Sequence, residues 1–179
     1  MLNLVFEIFP QLRTPRCILR PLEFSDEAAV FSIRSSDEVN LYLDRKKADS
    51  PEEAREFIGK IRELVLSGET FYWAIELEEV AGLIGTILLF NINPEQRKAE
   101  IGYELLPDFQ GRGIMTEVMK EVIRFGFEEM HLELIEAYLS PRNEKSIRLL
   151  QRHGFSFAAI DTQSGGAENL FIYSLKPAN

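Results

Sequence analysis

The sequence predicts a single α/β domain in which helices cover one mixed, mostly antiparallel central sheet. The chain has 179 residues, of which 45% are hydrophobic, enough for one domain with a sizeable core. Segments with the periodicity of strands alternate with segments with the periodicity of helices. No repeat, low-complexity tract or linker separates them. We therefore expect residues 1–179 to form one domain with about six to seven strands and about four helices.

The first half of the chain is predicted to supply a strand, two helices and two further strands. Ser25 is a candidate N-cap for the first helix. Ser50-Pro51-Glu52-Glu53 has the pattern of a capping box with proline at N1, and Gly68 ends that second helix. In chain order, the predicted elements are a strand at 14–22, a helix from 25, a helix at 50–68, and strands at 71–77 and 83–90.

The second half is predicted to complete the sheet. Because the strands at 71–77, 83–90 and 99–106 are joined by short turns, they should form an antiparallel meander. The helix after residue 113 allows a parallel crossover to the next strand. Gly154 is the expected C′ residue of the last helix, and Gly165-Gly166 marks a loop. The remaining predicted elements are a strand at 132–139, a helix at 143–153, and strands at 155–160 and 169–175.

Composition and charge exclude several classes of protein. The net charge of −9 argues against a nucleic-acid binder, which needs a basic face, and suits a cationic partner such as an amine. Cys17 is the one cysteine, and its apolar neighbours favour a packed core thiol over a nucleophile. We find neither a signal peptide in residues 1–10 nor an apolar stretch near the ~20 residues of a membrane helix, so a cytoplasmic location is expected. His131 and His153 are not spaced as metal ligands, so no metal site is expected.

A glycine loop carries the sharpest functional signal. Pro107 breaks a predicted strand, and Gln110-Gly111-Arg112-Gly113 then leads into a helix. Main-chain amides of such a loop, together with the positive end of the helix, favour a bound anion. Glycine lets the main chain approach phosphate oxygens closely, and Arg112 adds a charged contact.

Two well-known phosphate loops do not fit this segment. A Walker loop requires Gly-Lys-Ser/Thr, which does not follow the glycines. In a dinucleotide fingerprint Thr116 would have to be glycine, and the preceding strand would have to begin a βαβ unit. A second segment, 143–155, pairs a helix N-cap at Asn143 with Ser146 in the first turn and ends in Gly154-Phe155.

The two segments together resemble the acetyl-CoA-binding motifs of the GNAT superfamily of N-acetyltransferases. The opening of the chain and the strand that contains Glu100 also resemble the Rim-type branch, which acetylates the N-termini of ribosomal proteins. The resemblance runs from about residue 12 to residue 175. The matching residues are Gln110, Gly113 and Met115 in the loop, Asn143, Ser146, Gly154 and Phe155 in the helix segment, and Leu12, Thr14, Arg16, Leu19, Arg20, Pro21 and Glu100-Ile101-Gly102-Tyr103 for the branch.

The resemblance implies acetyl-CoA as the cofactor and a GNAT-like fold. It places the pyrophosphate on the amides of residues 110–115, the pantetheine arm along residues 104–106, and Asn143 near the thioester. Met115 stands where the family has a small residue, so crowding beside the cofactor is expected. The full implied set is Leu105, Leu106, Gln110, Gly111, Arg112, Gly113, Ile114, Met115, Thr116, Asn143 and Ser146.

The chemistry of acetyl transfer points to three candidate catalytic residues. An amine is mostly protonated at neutral pH, so a base or a water chain should take its proton. Glu100 and Glu104 are candidate bases that share one face of a strand. Leu150 stands where many members of the family have a proton-donating tyrosine, so the resemblance passes that role to Ser146, with Tyr138 as a weaker candidate.

Several alternatives stay open at the level of sequence. The acceptor is a protein N-terminus or a small molecule such as a polyamine, an amino acid or an antibiotic. A non-catalytic acetyl-CoA-binding module is the main rival to an enzyme, and a homodimer is a further open alternative. No nucleic acid and no membrane is expected as a partner.

Overall fold

Eight strands form one sheet in the computed structural model, which describes residues 2–4, 6, 8–162 and 169–177. The order across the sheet is β1-β2-β3-β4-β5-β6-β8-β7, and every neighbouring pair is antiparallel except β5 with β6. The predicted meander and parallel crossover are thereby confirmed. The strands are β1 Leu12–Arg13, β2 Cys17–Pro21, β3 Phe71–Leu77, β4 Val80–Asn93, β5 Lys98–Leu105, β6 Leu134–Leu139, β7 Ser156–Asp161 and β8 Leu170–Leu175.

Five α-helices lie within the described residues, one more than predicted. Ser50 Oγ accepts from the main-chain N of Glu53 at 3.3 Å, as the capping box requires, while the Glu53 carboxylate accepts from Asp49 N at 2.9 Å. The unpredicted helix is a single turn, capped by Ser36. The helices are α1 Glu27–Ser35, α2 Asp37–Asn40, α3 Pro51–Leu66, α4 Ile114–Glu128 and α5 Glu144–Arg152.

The structure differs from two local predictions near the start of the chain and does not describe the residues of a third. The strand predicted at 14–22 is shorter in the structure and begins at Cys17, because the Thr14 hydroxyl accepts from Cys17 N at 3.0 Å in the turn that follows the unpredicted β1. The N-cap prediction for Ser25 is wrong, since a 3₁₀ turn, Phe24–Asp26, precedes α1. There the Asp26 carboxylate accepts from Glu23 N at 2.9 Å. The loop predicted around Gly165 and Gly166 lies outside the described residues.

Helices cover both faces of the sheet and create two cores. α4 and α5 pack on the face that carries Trp73, whose ring meets Phe125 of α4 edge to face at 5.5 Å. α1 and α3 pack on the opposite face against Tyr72 and Ala74. Cys17 is fully buried in the first core, where burial raises the pKa of its thiol, and this confirms the predicted core role.

Strand β5 carries functional side chains on both of these faces. Ala99, Ile101 and Leu105 are buried in the α4 core, and Tyr103 shares their face by alternation. Glu100 and Glu104 therefore lie on one face of the strand, as predicted, and this is the face that α1 and α3 cover.

The part of the chain that the structure describes contains neither a membrane-spanning helix nor a cluster of metal ligands. None of its helices combines the length and apolar character needed to cross a membrane. Nor do His, Cys, Asp and Glu side chains gather there in a group of three or more that could hold a metal ion.

Candidate functional site

A gap opens between β5 and β6 just beyond Glu100. The parallel ladder pairs Lys98 with Leu134, Ala99 with Ile135 and Glu100 with Glu136, and it ends there. The remaining residues of β5 therefore present an unpaired strand edge to the gap.

The direction of the main-chain groups shows what this edge offers. Leu106 N donates to Ile84 O at 2.9 Å on the β4 side, so by alternation the main-chain groups of Leu105 and Tyr103 face β6. Gln110 Nε2 donates to Leu105 O at 3.1 Å. The groups that remain along the gap are Leu105 N and the main-chain N and O of Tyr103. An extended chain that contains amides, such as pantetheine, pairs with an edge of this kind as an added strand does.

The glycine loop stands at the end of β5 with free main-chain donors. Gly111 and Gly113 both have a φ of +74°, a conformation that favours glycine. The main-chain N atoms of Gly111, Arg112 and Gly113 donate to no other described residue. A Cβ added at Gly111 would meet nothing within 4 Å, so one side of the loop is open.

The first turn of α4 continues this row of donors. Gly113 provides no side-chain cap, and the first hydrogen bond into the helix is Glu117 N to Gly113 O at 3.1 Å. The amides of Ile114, Met115 and Thr116 are therefore unsatisfied within the helix. With the loop amides they form an electropositive nest at residues 111–116, which fits a diphosphate.

The structure corrects the expected roles of three residues near the loop. The amides of Leu106 and Gln110 are already used, since Leu106 N donates to Ile84 O and Gln110 N donates to Pro107 O at 3.0 Å. Neither amide is available to the cofactor, so the run of free donors begins at Gly111. Met115 is only 8% exposed because its side chain packs into the α4 core. This burial argues against the expected crowding by Met115 beside the cofactor, which stays a prediction.

Arg16 contacts the glycine loop, although no sequence motif predicted a role for it there. Its Nη1 donates to Arg112 O at 3.1 Å, and its Nε donates to Glu117 Oε2 at 2.7 Å. A Cβ built on Gly113 would lie 3.8 Å from Arg16 Nη2, so the guanidinium stands beside the nest. Arg112 itself lies over the Phe109 ring, 5.5 Å from its centroid. Arg16 and Arg112 are 96 residues apart in sequence, and only the fold reveals their contact.

Helix α5 brings two predicted site residues to the same gap. Asn143 Oδ1 accepts from Ser146 N at 3.1 Å and caps the helix. The Ser146 hydroxyl is 2.5 Å from the hydroxyl of Tyr103, which reaches it from β5. Burial raises the pKa of Tyr103 to about 12, so the phenol is neutral at physiological pH. Leu150, which has no proton to donate, is fully buried in the α4 core.

Glu104 is committed to an ion pair. Arg45 donates to both of its carboxylate oxygens, from Nη1 at 2.9 Å and from Nη2, and Arg45 Nε donates to Asn40 Oδ1 at 2.7 Å. A bidentate guanidinium stabilises the ionised carboxylate and occupies the oxygens that would accept a proton. The pair also joins the segment between α2 and α3 to β5.

Glu100 has the environment of a base. Burial raises its pKa, and the neighbouring charge of Glu136 adds to the effect, while a hydrogen bond from Asn91 Nδ2 at 3.0 Å opposes it. A carboxylate with a raised pKa binds a proton more readily at neutral pH. Tyr138 lies nearby, with its hydroxyl 3.4 Å from Glu136 Oε2, and burial raises its pKa to about 12.

The site thus places its chemical groups at three points around one gap. The free amides of residues 111–116 stand where the gap meets the loop. Glu100 lies on the α1 and α3 face of the sheet, and the Tyr103 and Ser146 pair lies on the α4 and α5 face. A thioester held in the gap would have a proton acceptor on one side and hydroxyl donors on the other.

Comparisons with known proteins agree with this geometry. The family described as "Acetyltransferase (GNAT) domain" matches residues 16–156. An uncharacterized N-acetyltransferase of Bacillus subtilis, YoaA, is 36% identical over 172 residues, which cover 94% of this chain and 97% of that protein. A Bacillus licheniformis relative, the uncharacterized N-acetyltransferase p20, is 33% identical over 92% of this chain and 94% of its own.

Solved structures share the fold. RimL, a ribosomal L7/L12 alpha-N-protein acetyltransferase in complex with coenzyme A, aligns with a TM-score of 0.81 at 22% identity and covers 95% of this chain and 98% of its own. The ribosomal-protein-S5-alanine acetyltransferase from Vibrio fischeri aligns with a TM-score of 0.80 at 23% identity, over 93% and 96%. The family match, the close relatives and the nest beside the gap all agree, and the chain belongs to the GNAT family of N-acetyltransferases, which use acetyl-CoA.

Proposed function

We propose that this protein transfers the acetyl group of acetyl-CoA to the N-terminal amine of a protein, by direct attack of the amine on the thioester. The observation that carries the proposal is the gap between β5 and β6. It has free main-chain amides at one end, which suit a phosphate, and a carboxylate and two hydroxyls on opposite faces of the sheet, which suit proton transfer.

Glu100 is proposed to accept the proton of the amine, directly or through one water. Burial raises the pKa of this carboxylate, whereas both carboxylate oxygens of Glu104 already accept hydrogen bonds from Arg45. We assign Glu104 instead to holding Arg45, and with it the segment between α2 and α3, beside the site.

Acetyl-CoA supplies the acetyl group as a thioester, whose carbon–sulfur bond breaks as the new carbon–nitrogen bond forms. The sulfur departs with the bonding electrons and carries negative charge. Ser146 is proposed to donate a hydrogen bond to that sulfur from the α5 side. Asn143 fixes the position of Ser146 through the N-cap, while its Nδ2 donates to no described residue and can contact the pantetheine arm.

The acceptor assignment rests on charge and on the structural neighbours. Glu136 is ion-paired with Lys98 at 3.0 Å, so the carboxylate of Glu100 and the net charge of −9 are what favour the approach of a cation. RimL and the Vibrio fischeri enzyme, which share the fold, act by their names on ribosomal proteins. Spermidine N(1)-acetyltransferase of Escherichia coli is 32% identical over only 72 residues, or 40% of this chain. A polyamine is therefore the alternative acceptor.

A matched set of acceptors tests the proposal. Purified protein is given acetyl-CoA and either a lysine-free peptide with a free N-terminus, the same peptide with a blocked N-terminus, or spermidine. Thiol release gives the rate, and mass spectrometry locates the acetyl group. We expect turnover on the free N-terminus alone, and turnover on spermidine alone would contradict the acceptor class. Tight binding of acetyl-CoA without turnover on any acceptor would support a non-catalytic module.

A further inference from the structure

We infer that Tyr103 is a positioning residue that donates its hydroxyl hydrogen bond to Ser146 and so directs the Ser146 proton at the sulfur of coenzyme A. This inference rests on the role proposed for Ser146. It adds a residue on β5 that neither the sequence motifs nor the family comparison assigns. The observation behind it is the 2.5 Å contact between the Tyr103 and Ser146 hydroxyls.

The direction of that hydrogen bond follows from the chemistry of the two groups. Each hydroxyl has one proton and can also accept, and only one proton lies between the two oxygens. A phenol is the more acidic of the two, so it is the better donor to an aliphatic hydroxyl. With Tyr103 donating, the Ser146 oxygen is the acceptor and its own proton is free to point elsewhere.

The Ser146 proton is not used by another group among the described residues. Ser146 is half-buried in the first turn of α5, and its hydroxyl forms a hydrogen bond with no described residue besides Tyr103. Tyr103 belongs to the part of β5 that borders the gap, and its side chain reaches Ser146 on the α4 and α5 face of the sheet. A coenzyme A sulfur held on that side of the gap would accept the Ser146 proton.

Tyr103 strengthens the Ser146 donor without giving up its proton. The pKa of the phenol is about 12, whereas a free thiol has a pKa near ~8.5. Moving the phenol proton to the sulfur would therefore be unfavourable by about 3.5 pKa units, or roughly 3,000-fold. The pair stabilises the negative sulfur by hydrogen bonding, and solvent protonates it after release. In a chain of hydroxyls each bond polarises the next, so the Ser146 bond is stronger with Tyr103 present.

The pKa of the bound coenzyme A thiol is the decisive readout, because it needs neither an acceptor amine nor turnover. It is measured from the ultraviolet absorbance of the thiolate in complexes with the wild type, Tyr103→Phe, Ser146→Ala and the double variant. Ser146→Ala should reduce the thiolate-to-thiol ratio about 10- to 100-fold at a given pH, as expected for a hydrogen bond to a charged group. Tyr103→Phe should reduce it about 3- to 10-fold, and the double variant should match Ser146→Ala within about twofold.

Three controls separate this role from a general effect on structure. Affinity for desulfo-coenzyme A, which lacks the sulfur, should be the same in all four proteins. Ser146→Thr keeps a hydroxyl, so Tyr103→Phe should still act in that background. If Tyr103→Phe does not fold, 3-fluorotyrosine at position 103 keeps the shape and is a stronger donor, so it should lower the thiol pKa further.

The inference is overturned if Tyr103→Phe or the fluorinated residue leaves the thiol pKa unchanged. It is equally overturned if the two substitutions add, because Tyr103 would then act without Ser146. These outcomes are independent of the proposed function. A protein that acetylates no amine can still show the coupling, and an active transferase can lack it.

Discussion

Replacing Gly113 by aspartate places a negative charge in the nest, where it should weaken the binding of the diphosphate. A Cβ at Gly113 would make ordinary contact, at 3.8 Å, with the end of the flexible Arg16 side chain. The φ of +74° strains any other residue, but Asp and Asn tolerate this region best. Gly113→Asn is therefore the matched control, with the same shape, the same backbone strain and the same ability to cap the amides of α4.

The difference between the two variants isolates one negative charge beside the bound anion. At about 5 Å, two unit charges interact by roughly 3 kcal/mol at an effective dielectric of 20, and by less than about 1 kcal/mol in water. Because residue 113 is exposed, we expect about 1–2 kcal/mol, or a roughly 5- to 30-fold higher Kd for acetyl-CoA in Gly113→Asp than in Gly113→Asn.

Isothermal titration at two or more salt concentrations measures this ratio. The ratio should shrink as ionic strength rises, since salt screens exposed charges. Circular dichroism must show that both variants are folded. Equal affinities for the two folded variants at low salt would refute the placement of the diphosphate at this loop.

Three further changes test other parts of the site. Glu100→Gln should lower kcat about 10²- to 10⁴-fold on the best acceptor and remove the acid limb of the pH profile. In the wild type that limb should lie above the ordinary pKa of glutamate, since burial raises the Glu100 pKa and the base is lost as pH falls through it; an unchanged profile in the variant would eliminate Glu100 as the base. Met115→Ala should cost about 2–5 kcal/mol in urea unfolding yet leave the Kd for acetyl-CoA within about twofold, because this side chain packs in the core; a large loss of affinity in the folded variant would place the side chain at the cofactor after all. Arg45→Ala should lower the free energy of unfolding by about 1–3 kcal/mol, because it leaves the half-buried Glu104 carboxylate unpaired. Adding Glu104→Gln should recover part of that free energy. A double variant less stable than Arg45→Ala would argue against the ion pair.

The sequence predicted the sheet and its main helices well, because their signals are local. Alternation marked the strands, the Ser50 capping box marked the start of α3, and short turns required an antiparallel meander. The two-residue β1 and the single turn of α2 were missed, since neither is long enough to show a period. Gly154 was correctly placed at the end of α5, where its φ is +85°.

The site was less predictable because it depends on contacts between distant segments. The resemblance to the family indicated residues 110–116, but it could not show that the Gln110 amide is used within its own turn. Nor could it show that the Met115 side chain faces the core. A helical period alone does not tell which residue of the first turn faces a ligand.

Tyr103 and Arg16 make contacts in the site that could not be predicted from the sequence. Both stood in motifs that suggested a branch of the family, yet neither motif assigned them a role. Tyr103 meets Ser146 across 43 residues of sequence, and Arg16 meets the loop across 96. The glutamates share a strand face, but only the structure showed that Arg45 forms an ion pair with Glu104.

The position of coenzyme A in a crystal structure of the complex decides whether residues 111–116 bind the diphosphate. We expect diphosphate oxygens about 3 Å from main-chain nitrogens of these residues, with the pantetheine amides paired along the β5 edge at Tyr103. The sulfur should lie within hydrogen-bonding distance of Ser146. A diphosphate bound anywhere else, with those nitrogens still facing solvent, would contradict this assignment.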